Sequence, residues 1–183
     1  MKKSNQLPRG LRNNNPLNIR KSGQLWQGQR GNDGKFCIFC SMEMGYRAAF
    51  RVLNTYNRKH NIYSVREIIY RWAPPQDHNK TRAYIERVCR EAGLRETDII
   101  VVDSWIEEKR EDAMRMVWAM AKVENGDRFI TEADMETVRK GYELAVSNLN
   151  PNPNANPNIN PNINPNDNPN DNLNINDNHK ADK

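Results

Sequence analysis

From Asn150 to Lys183 the chain alternates Asn with Pro, Ile, Ala or Asp, as in NPNPNANPNINPNINPN. This stretch has no aromatic side chain and almost nothing apolar to bury. It cannot offset the roughly 1–2 kcal/mol of backbone entropy that each ordered residue costs. A disordered, low-complexity tail is therefore expected over 150–183, either the product of a slipped DNA repeat or a spacer. Any fold is confined to residues 1–149, which suffice for one core and one domain.

The tail also shifts the charge balance. Of 28 Lys and Arg only Lys180 and Lys183 lie in it, against four of the 23 Asp and Glu, so the first 149 residues carry +7 where the whole chain carries +5. A basic domain favours an anionic partner: a cell-wall or other anionic glycan, nucleic acid, or a phospholipid surface. The opening MKKSNQLPRG has no apolar run behind its lysines, and no stretch is long enough to span a membrane. Synthesis in a cytoplasm, without a signal peptide and with reduced thiols, is the expectation.

The segment Arg9–Arg20 reads RGLRNNNPLNIR. Asn amides compete with the backbone for hydrogen bonds, and Pro16 drives Asn15 out of the helical region. A shaped loop presenting amides between guanidinium groups follows. Glycines and Asn32-Asp33-Gly34 then mark turns around Trp26, which is either a core plug or a face for stacking a ligand. Phe36–Cys40 reads as a short strand with Phe36, Ile38 and Cys40 on one face and Cys37 and Phe39 on the other. Cys37-x-x-Cys40 has metal-knuckle spacing, but its cysteines face opposite sides and no second pair follows, so no metal site is expected.

Helical signals fill the remainder. Ser41 caps a helix to about Lys59 with Tyr46, Ala49, Phe50, Leu53 and Tyr56 inward and Arg47, Arg51 and Arg58 outward. Ser64-x-x-Glu67 is a capping box opening a short helix that Pro74-Pro75 stops. Thr81–Ala92 follows with Tyr84, Ile85 and Val88 inward and Gly93 as its end. Asp103 is expected to cap the longest helix, which stops at Asn125-Gly126 and carries Ile106, Ala113, Met114, Val117, Ala121 and Glu124 on one face. Thr131-x-x-Asp134 starts a last helix. The class is mainly α, or α+β with a minor β-hairpin.

Glu124 is the candidate acid. It ends an apolar stripe at the negative end of a long helix, where partial burial and the helix dipole both favour the protonated form. A carboxylic acid kept protonated near neutral pH is what glycosidic cleavage requires of its general acid. A solvated Glu at a fraying helix end is the alternative. No P-loop, nucleophile elbow or histidine cluster competes, and no cofactor is implied. The arginines of the middle helices alternate with acids and lack a nucleic-acid-binding signature, so a nucleic-acid-binding packaging role is the weaker alternative.

Taken together, RGLRNNNPLNIR, LWQG, FCIFCSMEMGYRAAFRVLNTY, IIYRWAPPQDHNKTRAYIERV and AMAKVENG resemble a family of phage and prophage virion structural proteins. The same pieces are similar to lysozyme-like cell-wall hydrolases. Asn14-Asn15-Pro16 with Ile19 resembles the Asn-Asn loop of bacterial glucosaminidases, and Ala119–Gly126 the helix that carries the catalytic Glu of lytic transglycosylases, with the two segments in permuted order. The resemblance implies a single lysozyme-like helical domain in a virion-associated protein that meets peptidoglycan and other virion proteins. It makes Glu124 the general acid of a peptidoglycan glycosidase or lytic transglycosylase, with Asn14, Asn15 and Tyr46 lining the glycan cleft; Trp26, read as a stacking face, is a further candidate for glycan contact. A non-catalytic virion or wall-binding protein is the alternative. Glu43 is the fallback acid, although the first turn of a helix stabilises its ionised form.

Overall fold

A computed structural model describes residues 7–23 and 25–147. The Asn/Pro tail lies outside the described residues. In chain order the elements are a helical turn α1 (Arg9–Arg12), strands β1 (Gln29–Asn32) and β2 (Cys37–Phe39), and helices α2 (Met42–His60), α3 (Val65–Trp72), α4 (Thr81–Ala92), α5 (Glu107–Asn125) and α6 (Met135–Val146). Single 3-10 turns, Pro75–Asp77 and Glu132–Asp134, lead into α4 and α6. The architecture is thus mainly α with one antiparallel hairpin, as the sequence indicates. Among the described residues no helix is long and apolar enough to cross a membrane.

Most helix ends follow local chemistry. The Ser41 hydroxyl accepts the Met44 N–H at 3.4 Å, and Asn61 at φ 53° closes α2. Ser64 and Glu67 satisfy one another's backbone N–H groups at the start of α3, as Thr131 and Asp134 do before α6. Gly93 ends α4 in the left-handed region that a residue with a Cβ resists.

The start of α5 differs from expectation. Asp103 does not cap it. Its carboxylate is buried and pairs with Arg58 of α2, so the helix begins four residues later with no side-chain cap. Ile106, expected on the inner stripe, precedes the first turn and is 61% exposed. Further along, Ala113, Met114 and every residue from Met116 to Ala121 are buried. A single stripe is therefore too narrow a description. The helix runs through the middle of the protein, with α4 and α6 packed against it. Its alanines leave room for those neighbours to approach on several sides.

Helices α2 and α6 share the most extensive helix–helix packing among the described residues. Phe50 meets Tyr142 edge to face at 5.2 Å, and Gly141 lies so near α2 that a Cβ there would stand 2.5 Å from the Tyr46 Cβ. This close approach corrects the expected solvent face of α2. Arg47 is 2% exposed, and Arg51 donates to the Ala145 carbonyl at 3.5 Å, leaving Arg58 as the exposed member of the three. In the hairpin, Cys37 and Phe39 point inward and Cys40 outward. Phe36, expected on the face opposite Cys37, is buried too, because the Arg9 guanidinium covers its ring at 3.8 Å.

Where α2 passes the Asn loop it carries Gly45. A Cβ there would overlap the Asn14 carbonyl oxygen and approach Pro16 Cδ to 2.7 Å. Gly45→Ala is predicted to destabilise the protein by about 1–3 kcal/mol through overpacking, although Ala is the better helix former. Gly31→Ala, with nothing within 4 Å of its Cβ, should leave the denaturation midpoint within error. Urea unfolding of both variants checks the contrast.

Candidate functional site

The Asn loop is built by its own amides. Asn15 is wholly buried; its Nδ2 donates to the carbonyls of Ile19 at 2.9 Å and Cys37 at 3.0 Å, and its Oδ1 accepts the Ile19 N–H at 2.8 Å. Asn14 Nδ2 donates to the Phe39 carbonyl at 3.1 Å, and Asn13 Nδ2 to Asp33 Oδ2 at 2.7 Å. Asn14 and Asn18 adopt φ of 49° and 51°, a conformation that Asn tolerates better than most residues. The loop is therefore stitched to β2 and to the Asp33 turn before it meets any helix. Burial raises the Asp33 carboxyl, but the N–H of Phe36, the Asn13 amide and the N–H of Lys35 outweigh it and hold its pKa below the usual value.

The loop lands on the end of α5. Asn125 Nδ2 donates to the Pro16 carbonyl at 2.7 Å and to the Ala121 carbonyl at 2.9 Å. Gly10 lies so close to Asn125 that a Cβ would overlap its Oδ1. One residue earlier, Glu124 Oε2 accepts from Asn18 Nδ2 at 2.9 Å and Oε1 accepts from the Tyr84 hydroxyl at 3.2 Å. Tyr84 comes from α4, and burial, followed by the Glu124 charge, pushes its pKa well up. That helix is fastened to α5 by Lys122 Nζ, 2.6 Å from Glu91 and 4.6 Å from the Trp118 ring, and by Arg87 on Asp127 at 2.6 Å. Glu124 thus sits half-buried where the loop, α4 and α5 converge.

No family model matches the chain. Protein P5 of Pseudoalteromonas phage PM2 is 34% identical to it over 144 residues, covering 76% of this chain and 82% of that protein. The chain belongs to the family of protein P5.

Within this P5-family chain the residues singled out from the sequence divide into two groups. Glu124 is half-buried at the junction of loop and helices, and Asn14 is half-buried in the loop against Phe39 and Gly45. Asn15 and Tyr46, expected to line the site, are each 0% exposed. Asn15 is consumed by the loop's own backbone, and Tyr46 packs beneath Gly141, so neither offers surface to a ligand. Trp26 is half-buried against the core and donates its backbone N–H to Gln29 Oε1 at 3.1 Å, which favours the core-plug alternative. Glu43 lies in the first turn of α2; the Ser41 hydroxyl and its own N–H hold its carboxyl below the ordinary range, as a structural anion requires.

The candidate site also contains residues that the sequence did not single out. Asn18, Tyr84 and Asn125 make the contacts described above. Tyr84 was legible as an inward residue of α4, but the destination of its hydroxyl was not. Removing the Asn125 carboxamide strands the Pro16 carbonyl of the loop. Asn125→Ala is predicted to cost about 1–3 kcal/mol in urea unfolding. Because the folded Asp33 carboxyl is depressed, its contribution is present above the unfolded value of 3.8 and lost as pH falls through the folded one. The melting temperatures of wild type and Asp33→Asn should therefore differ at neutral pH and converge as pH falls below 3.8.

Proposed function

We propose that the chain is a virion-associated structural protein of a phage or prophage, whose lysozyme-like helical domain binds peptidoglycan glycan strands and cleaves them through Glu124. Kinship with a phage protein supports the virion half of this reading. The observation that carries the other half is the placement of Glu124 at the end of α5, addressed by Asn18 and Tyr84. In this reading Glu124 protonates the glycosidic oxygen as the bond breaks and the sugar takes on positive charge. Asn18 and Tyr84 fix the carboxyl in one orientation, so that little reorganisation is needed at the moment of transfer. The partners are the glycan and neighbouring virion proteins.

A second reading rests on the same contacts. Two protein donors already occupy both Glu124 oxygens, which is also how a purely structural tie between loop, α4 and α5 would look. The domain would then bind the wall or the virion without cleaving anything. A nucleic-acid role has less support, since Arg82, Arg87, Arg95, Arg115 and Arg139 are all paired with acids.

Glu124→Gln separates the two readings, because it keeps shape and an acceptor while removing the transferable proton. General-acid catalysis supplies roughly 10²–10⁴-fold, so clearing of a peptidoglycan suspension should slow by at least about a hundredfold, with the circular dichroism spectrum unchanged. Clearing at the wild-type rate would remove Glu124 from the chemistry. Wild-type protein that sediments with cell wall but never clears it would establish the non-catalytic reading.

A further inference from the structure

The positive charge ahead of the Asn/Pro tail is confined to one part of the chain. Residues 1–40 hold eight Lys and Arg against a single acid, Asp33, whereas residues 41–149 hold eighteen of each. The whole +7 excess therefore belongs to the segment that contains α1, the Asn loop and the hairpin. The helical part is neutral, and many of its cations are matched to its own acids: Arg82 to Glu86 and Glu96, Arg95 to Asp98, Arg115 to Asp112 and Arg139 to Glu111. In the basic segment Arg9, Arg12, Lys21 and Arg30 are exposed and have no ion-pair partner among the described residues. Its one acid is already engaged, since the Asp33 carboxylate accepts from Asn13 Nδ2 and from the N–H groups of Lys35 and Phe36.

Contacts gather these cations at one end of the molecule. Arg9 and Arg12 are three residues apart on one helical turn and so are neighbours. The Arg9 guanidinium lies 3.8 Å from the Phe36 ring centre and that of Arg20 5.9 Å from the same centre. The two charges therefore stand within about 10 Å of each other, roughly a Debye length at 0.1 M salt. Arg20 is bridged to Phe36 through the backbone, and the Lys21 N–H donates to the Lys35 carbonyl at 2.9 Å. Like charges gathered in this way repel one another, and an anion laid across them relieves the repulsion. A guanidinium resting on an aromatic ring still has its edge N–H groups to offer, in the planar fork that fits a carboxylate.

We propose that the end of the molecule built from α1, the Asn loop and the hairpin is a docking surface for the carboxylates of the peptidoglycan polymer, engaged through Arg9, Arg12, Arg20, Lys21 and Arg30. The proposal rests on the glycan reading above and names the groups by which the wall is held. The loop between Arg12 and Arg20 is the one that ends on α5 through Pro16 and Asn18, so the wall is held by the same element that meets Glu124. Single-stranded nucleic acid fits this end less well. Phe36 is 4% exposed beneath Arg9 and presents no face on which a base could stack.

The test is sedimentation of the full-length protein with purified peptidoglycan, either native or with its carboxylates converted to amides, at low and high salt. One variant combines Arg12→Gln, Lys21→Gln and Arg30→Gln. A reference variant combines Lys59→Gln, Lys80→Gln and Arg128→Gln, which removes the same number of exposed charges from the helical part. Wild type should bind native wall, and more weakly as salt rises. The first variant, and amidation of the wall, should each weaken binding about tenfold at low salt, and the reference variant less than about twofold, with all circular dichroism spectra alike. Equal weakening by the two variants would overturn the surface. Wild type that binds amidated wall as tightly as native wall would overturn carboxylate recognition and leave the glycan reading intact. Failure of wild type to bind wall at all would remove both, and duplex DNA bound in its place but not by the first variant would mark the surface as one for nucleic acid.

Discussion

The site depends on one carboxamide. Asn125 donates to the last turn of its own helix and to the Pro16 carbonyl, and so joins α5 to the Asn loop. Each such bond contributes only about 0.5–1.5 kcal/mol net, but an unmet buried carbonyl costs more than that. The contact therefore acts mainly as a constraint: any placement of the loop that leaves Pro16 unpaired is excluded. Gly10 completes the fit by letting the loop backbone close over the amide. With Pro16 pinned, Asn18 has little choice but to reach Glu124.

A second layer of restraint is ionic and comes from α4. Lys122 and Glu91 are each at least four-fifths buried, at 15% and 20% exposure, whereas Arg87 and Asp127 face water at 31% and 66%. Surface pairs of the latter kind contribute about 0–1 kcal/mol and weaken with salt. The Lys122 pair, backed by the Trp118 ring, is the one that fixes the spacing of α4 and α5, and with it the reach of the Tyr84 hydroxyl.

Much of the fold was legible because its signals are local. Capping boxes at Ser64 and Thr131, the Ser41 cap and the Gly93 stop place four helix ends without reference to the rest of the chain. The start of α5 was not legible, because Asp103 has the chemistry of a cap but is claimed by Arg58, a partner 45 positions earlier. The site was legible to the same limited degree. Glu124 announces itself by closing an apolar stripe, whereas its partner Asn18 lies 106 positions away and no periodicity connects them. Asn15 and Tyr46 misled for a related reason. Polar groups suggest exposure, yet a loop that folds back on its own amides buries them, and the absence of a side chain at Gly141 allowed Tyr46 to be covered.

That separation in sequence has a bearing on how the protein is made. Pro16 and Asn125 are 109 positions apart, and Asn18 and Glu124 nearly as many. Neither contact can exist until most of the globular region has left the ribosome, and closing so long a loop is slow compared with forming the helices it joins. A nascent chain, or a fragment cut before α5, consequently contains every residue of the Asn loop without the Glu124 carboxylate that holds the Asn18 side chain. The junction at Glu124 is thus a property of the finished molecule, and its presence reports that synthesis and folding are complete.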